Sequence, residues 1–238
     1  MARPQIDQWE TESVRATFFG SPTEFGRSRE MWKTLVGKDP EVSTGRPAEG
    51  LVMEEGSFGD GRRLTVNAAA GRIDVAISPQ VAPVWPSLGI APAAIGDLVQ
   101  LLSARRALFA GATRYALGIA ATCRVRDRDV AYGVLGELLD CVQVTPNMHD
   151  LFFQVNYPRN SRVVDVQVNR LGRWMAGKIN LGFIGQPEMV DLGEMVRAEL
   201  DINTPPTDSL TLDDQQFEPL LNEFADMAIE MLERGATP

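Results

Sequence analysis

The chain has one histidine, His149, and two cysteines, Cys123 and Cys141. A Cys141 thiol with His149 as its base would form a nucleophile pair, since imidazole takes up protons near neutral pH and a thiolate attacks electrophilic carbon. The stretch around the histidine, PNMHD, has turn composition, and no nucleophile motif surrounds either residue. The pair is therefore read as non-catalytic, and buried free thiols are the expectation for both cysteines. One histidine and two separated cysteines also lack the ligand spacing of a zinc site. The carboxylate pairs are Glu54-Glu55, Asp127 with Asp129, and Asp213-Asp214. A two-metal centre needs carboxylates that converge. Asp127, Asp129, Asp213 and Asp214 suit helix N-termini, where the helix dipole favours negative charge. Glu54 and Glu55 are neighbours on a strand and face opposite ways. The glycine-rich GSFGDG (56–61) could bring backbone N–H groups to a phosphate. No Walker-type or kinase-type partner motif accompanies it, and a hairpin turn is expected. No catalytic residue, cofactor or metal is assigned.

Groups able to bind rather than react concentrate in FQVNYPRNSRVVDVQVNRLGRW (153–174), where QVN occurs twice and each copy runs into arginines. Alternation along a strand puts Asp165, Gln167 and Asn169 on one face and Val164, Val166 and Val168 on the other. Gln154 and Asn156 are polar on the strand before, and Lys178 and Asn180 on the strand after. An antiparallel sheet with one solvated face explains this pattern. It also makes a hydrogen-bonding platform. The candidate binding residues are Gln154, Asn156, Arg159, Arg162, Gln167, Asn169, Arg170, Arg173 and Lys178. The four arginines sit at turns, and these turns fall at opposite ends of the expected meander.

The elements that must hold this platform follow from periodicity. SVRATFFG (13–20) alternates as a strand, and REMWKTLV suggests a short helix. Residues 38–50 read as loop. LVMEEGSF (51–58) is a strand, and RLTVNAAAGRIDVAISP is a hairpin turning at Ala69-Ala70-Gly71. Four prolines make 79–92 an irregular crossing. Ile95, Leu98, Val99, Leu102 and Leu108 form a helical stripe, TRYALGIAATCRVR a long strand, and DRDVAYGVLGELLDCV a helix with Asp127 or Asp129 as N-cap. DLFFQVNYP, SRVVDVQVN and RWMAGKINLG are expected as three successive strands, with links at Pro-Arg-Asn-Ser and Leu171-Gly172. VRAELDIN (196–203) is the last strand. The tail helix carries Phe217, Leu220, Leu221, Phe224, Met227, Ala228, Met231 and Leu232 on one face, a Thr211/Asp214 capping box, and Gly235 as its stop. The stripe is read mainly as core, with Met227 and Met231 as a second candidate for subunit contact if the helix end overhangs.

The fold class is therefore α+β, with a largely antiparallel sheet of meanders and about three main helices on one face. The chain is read as one domain, or as two interlocked halves of about 12–142 and 143–238. The composition is globular, with 44% hydrophobic and 23% charged residues. A net charge of −9 argues against nucleic acid, which needs a basic footprint, even with the Arg124-Arg126-Arg128 run. Lysine is nearly absent beside arginine, a bias suited to a bacterial genome rich in GC. No apolar run approaches the length of a membrane span, and the polar start holds no signal segment, so a cytoplasmic protein is expected.

The reading is a non-catalytic binding or scaffold protein in a bacterial cytoplasmic complex or homo-oligomer. It would use the polar sheet face and the C-terminal amphipathic helix. The alternative is an enzyme acting through Arg114, Arg124, Asp165 and Lys178 in a helix–sheet cleft. The register predicts that Gln167→Ala and Asn169→Ala leave stability within about 0.5 kcal/mol, whereas Val166→Asp unfolds the domain. Urea melts check this, and equal losses in all three would reject the register.

Overall fold

The computed structural model describes residues 2–20, 31–46, 51–80, 86–145, 147–182, 189–206 and 210–236, with backbone alone at 181–182 and 189–190. Among the described residues, ten strands form one antiparallel sheet. They are β1 (Glu10–Gly20), β2 (Val42–Arg46), β3 (Leu51–Ser57), β4 (Arg62–Ala69), β5 (Arg72–Pro79), β6 (Ala112–Val125), β7 (Phe152–Asn156), β8 (Arg159–Asn160), β9 (Gln167–Gly182) and β10 (Met189–Asn203). The spatial order is β2-β3-β4-β5-β1-β6-β10-β9-β7, with β8 also on β9. The helices are α1 (Met31–Val36), α2 (Ala91–Ser103), α3 (Arg128–Leu138) and α4 (Phe217–Arg234).

Alternation decides which side the helices cover. Val14, Ala16 and Phe18 of β1 are fully buried and stand opposite Ile119, Leu117 and Tyr115 of β6. The same apolar rows continue through Ile73, Val75 and Ile77 on one side and Val196, Ala198, Leu200 and Ile202 on the other. Helix α2 packs on β1, α3 on β9 and β10, and α4 on β10 and β6, while α2 and α4 touch each other. An aromatic cluster ties the layers together. The Phe18 and Phe109 rings stack at 4.0 Å, Phe217 lies 6.0 Å from both, and Tyr115 meets Phe18 edge-on at 6.1 Å. Burial pushes the Tyr115 phenol up to about 12, so it stays neutral, and its hydroxyl donates to the Ala112 carbonyl.

The order of elements repeats. A strand, a helix, four strands and a helix (β1, α1, β2–β5, α2) are followed by the same series (β6, α3, β7–β10, α4). The two opening strands, β1 and β6, pair with each other at the centre of the sheet.

The end helix is held as its sequence predicts on the apolar side. Met227 and Met231 are buried with the rest of its stripe, so they serve the core and not an overhang. Its entry differs. Asp213 Oδ1 accepts from the N–H groups of Gln215 and Gln216, and Gln216 Oε1 accepts from Asp213 N, so reciprocal bonds join Asp213 and Gln216 in the turn before the helix rather than Thr211 and Asp214, and the N-cap, Gln216, makes no side-chain cap bond. Asp127 caps α3 as expected, accepting from Val130 N at 2.9 Å. Gly235 closes α4 at φ 87°, and a Cβ there would stand 1.9 Å from the Leu138 carbonyl oxygen.

Three expectations change. Residues 42–46, inside the expected loop, form edge strand β2 on β3; its exposed positions give no alternation to detect. Cys141 is exposed rather than buried, because α3 ends before it. Of the expected triple meander the first strand is present as β7, and the second and third are one long strand, β9. Residues 162–166 are bends, and β9 runs unbroken through Leu171-Gly172. Gly172 is no turn residue: a Cβ there would lie 2.0 and 2.3 Å from ring carbons of buried Trp174 and 2.8 Å from Met231 Cε. With the strand starting at Gln167, the enclosed valine is Val168, fully buried, while Val166 is half-buried, so the severe apolar-to-charged substitution moves to Val168.

Gly172→Ala is expected to destabilise by about 2 kcal/mol through overpacking. Gly177→Ala on the same strand, whose Cβ would meet only Met195 Cε at 3.6 Å, should be neutral or stabilising. Urea midpoints of both variants test the assignment, and equal shifts would reject it.

Candidate functional site

The side of the sheet away from the helices carries the other half of every alternation. Across its middle run Thr65 (β4), Ala76 (β5), Arg15 (β1), Gly118 (β6), Asp201 (β10) and Leu171 (β9). The next row holds Ala120, Glu199 and Arg173. These residues line one hollow of about 720 Å³, together with Ser13, Asn67, Arg197 and Leu200. Six adjacent strands reach across roughly 24 Å at strand spacing. A single hollow touches side chains of all six. Its floor is low because Ala76, Gly118 and Ala120 carry little or no side chain.

Most charges around the hollow neutralise one another. Arg197 Nε donates to both carboxylate oxygens of Glu12, at 2.8 and 3.0 Å, and its Nη1 donates to Glu199. Burial works to lower the Arg197 pKa, but its bonds to Glu12 and Glu199 together hold it raised. Arg173 donates to Gln154 Oε1 at 2.8 Å and stands 3.5 Å from Glu199. Arg63 pairs with Glu55, Arg72 with Asp74, and Arg124 with Glu10.

Two groups in the hollow are less committed. Arg15 comes only within 4.0 Å of Asp74, whose carboxylate already takes Arg72 and the Thr17 hydroxyl. Its guanidinium lies over Gly118, 3.5 Å from where a Cβ would be. Asp201 has no cation within ion-pair range among the described residues. It ends a chain of amides: Asn156 Nδ2 donates to Asn169 Oδ1 at 3.0 Å, Asn169 Nδ2 to Asn203 Oδ1 at 3.1 Å, and Asn203 Nδ2 to Asp201 Oδ1 at 3.0 Å. An ionised carboxylate only accepts, so it fixes the direction of the whole chain.

The nine candidate binding residues divide between the two sides. Gln154, Asn156, Asn169 and Arg173 share the open face, and both QVN asparagines belong to the same amide chain. The repeated phrase thus marks two neighbouring strands whose open-face polar groups meet. Gln167 is exposed at the start of β9, opposite Asn160. Lys178 is exposed, and its bond with Asp191 raises its pKa and lowers that of Asp191. The remaining three arginines turn to the helix side. Arg162 and the Ser161 hydroxyl bond Glu223, and Arg159 donates to Glu230 at 2.7 Å. Arg170 is buried beside Arg159 and 3.7 Å from Glu230, with its Nε and Nη2 lacking a hydrogen-bond partner. Burial, followed by the Arg159 charge, lowers its pKa. These three fasten α4 to the sheet and do not line the hollow.

The alternative catalytic set does not assemble in a helix–sheet cleft. Arg114 and Arg124 lie on the open face, engaged with Asn203 and Glu10, and Asp165 is in a bend. His149 is exposed in a loop. Arg126 pairs with Asp127 and Arg128 covers the Tyr132 ring, so the arginine run is not a free basic stripe. Arg15, Arg197, Glu199 and Asp201 are absent from the sequence-derived set. Their signal was present as polar residues alternating within apolar strands, SVRAT and VRAELDIN. No protein family, curated protein or solved structure matches the chain.

Glu230 accepts from Arg159 and Arg234 and faces buried Arg170. Glu230→Ala is expected to cost about 3 kcal/mol, since it leaves a buried guanidinium without its counter-charge. Arg170→Met keeps the volume and should cost under about 1.5 kcal/mol. Denaturant melts of the two variants decide, and the reverse order would show that Arg170 is held by something other than Glu230.

Proposed function

We propose that this is a non-catalytic binding protein of the bacterial cytoplasm that receives a protein partner on the open face of its sheet. The observation that supports this reading best is the hollow spanning six strands, walled by charged side chains that are already held in place. Walls fixed by ion pairs and amide bonds lose little side-chain freedom on binding, which favours recognition. The low floor lets an incoming chain approach the sheet closely. The balance of arginines and carboxylates favours a protein surface of mixed charge over a polyanion such as nucleic acid. The apolar stripe of α4 is buried, so the sheet carries the proposal without it.

A photo-crosslinking amino acid placed at Thr65 or Arg173 on the open face, and at Gln100 or Glu233 on exposed helix positions, tests this in the expressing cell. Adducts are expected from the first two positions and not from the other two. Adducts from the helix positions alone, or from none, would reject it.

A further inference from the structure

Resting on that reading, we propose that the hollow takes an extended peptide segment with an acidic and a basic side chain on the same face, the acidic one at Arg15 and the basic one at Asp201. Register places Arg15 and Asp201 on either side of Gly118, each directly across one strand spacing from it. They do not pair with each other: Arg15 has only the distant Asp74, and Asp201 only the Asn203 amide, among the described residues. Arg197, Arg173, Glu199 and Glu12 are neutralised within the wall. Of charged groups among the described residues, the hollow still offers a ligand one donor fork and one acceptor, separated by a glycine.

The geometry suits a chain in extended form. Side chains two residues apart in a strand share a face and stand about 6.7 Å apart. Two strand spacings separate the Cα atoms of Arg15 and Asp201 by roughly 10 Å, and the Arg15 guanidinium already leans over Gly118 toward Asp201. A hollow about 24 Å across holds roughly seven extended residues. The absence of a side chain at Gly118 is what lets the Arg15 guanidinium lie there, where it can meet an acidic group arriving from above. The amide chain from Asn156 to Asn203 holds Asp201 in orientation before any ligand arrives.

The test is a library of random heptapeptides displayed on phage and selected on the purified full chain. Enriched peptides are then measured by fluorescence polarisation against wild type, Arg15→Ala, Asp201→Asn and the charge-swapped double variant R15D/D201R, each first shown to be folded by circular dichroism. Enriched peptides should carry an acidic and a basic residue two positions apart. Each single variant should weaken binding on the order of tenfold or more. The double variant should prefer the peptide with its two charges exchanged. Enrichment without the charge pair, no enrichment, or single variants that bind as tightly as wild type would overturn the proposal. Open-face crosslinking that persists in Arg15→Ala and Asp201→Asn would sink the charge-pair recognition while leaving the docking face intact. Loss of open-face crosslinking to the helix side would sink both.

Discussion

The antiparallel pairing of β1 with β6 carries the sheet across the middle of the molecule. Each of these strands opens one series of elements, and their shared register sets Val14 against Ile119 and Phe18 against Tyr115. A slip of one residue would turn every side chain of one half to the wrong face. The apolar helix layer, the aromatic cluster beneath it and the polar hollow on the other side all follow from that single alignment. Phe18 and Tyr115 sit on the two central strands, and Phe217 of α4 closes over both. The core is thus common to both series rather than divided between them.

The hollow is floored by small residues on β5 and β6 and flanked by charged ones, with Arg15 of β1 lying across the floor. Ala76, Gly118 and Ala120 lie on the strands nearest the centre, and Arg173, Arg197 and Glu199 on those beyond. Bifurcated donation from Arg197 Nε to Glu12 fixes one wall, and amide donation through Asn169 and Asn203 fixes another. On the helix side arginine does different work. Arg159, Arg162 and Arg170 meet Glu223 and Glu230 of α4, where their charge is partly buried and serves attachment.

Strands and helices with clean alternation were legible from the sequence: β1, the β4–β5 hairpin, β6 and the three longer helices all fall where periodicity places them. The α+β class followed from them. Leu171-Gly172 misled because a glycine can mark a turn or a close approach, and only the folded position of Trp174 over Gly172 distinguishes the two. Edge strand β2 escaped because an exposed strand needs no alternation. In the site, the polar face of the QVN strands was readable with Arg173 on it, and the other three arginines were not. Arg159 and Arg162 lie outside the regular alternation of β9, and Arg170 occupies the helix-facing parity once β9 begins at Gln167. Arg15 and Asp201 are far apart in the chain and meet only through the order of strands, which no local pattern records.

The repeated series of elements has a consequence for how a bound chain could lie. Exchanging the two halves about the middle of the β1–β6 pairing would bring Gly118 onto Arg15 and Asp201 onto Ala76. The backbone plan is alike in both senses, but the side chains are not. A face with matching ends would accept a segment running either way along it. This one has its guanidinium on one strand and its carboxylate two strands over, so it would distinguish the head of the proposed segment from its tail. Polarity of reading thus resides in side chains laid over a scaffold whose element order has none.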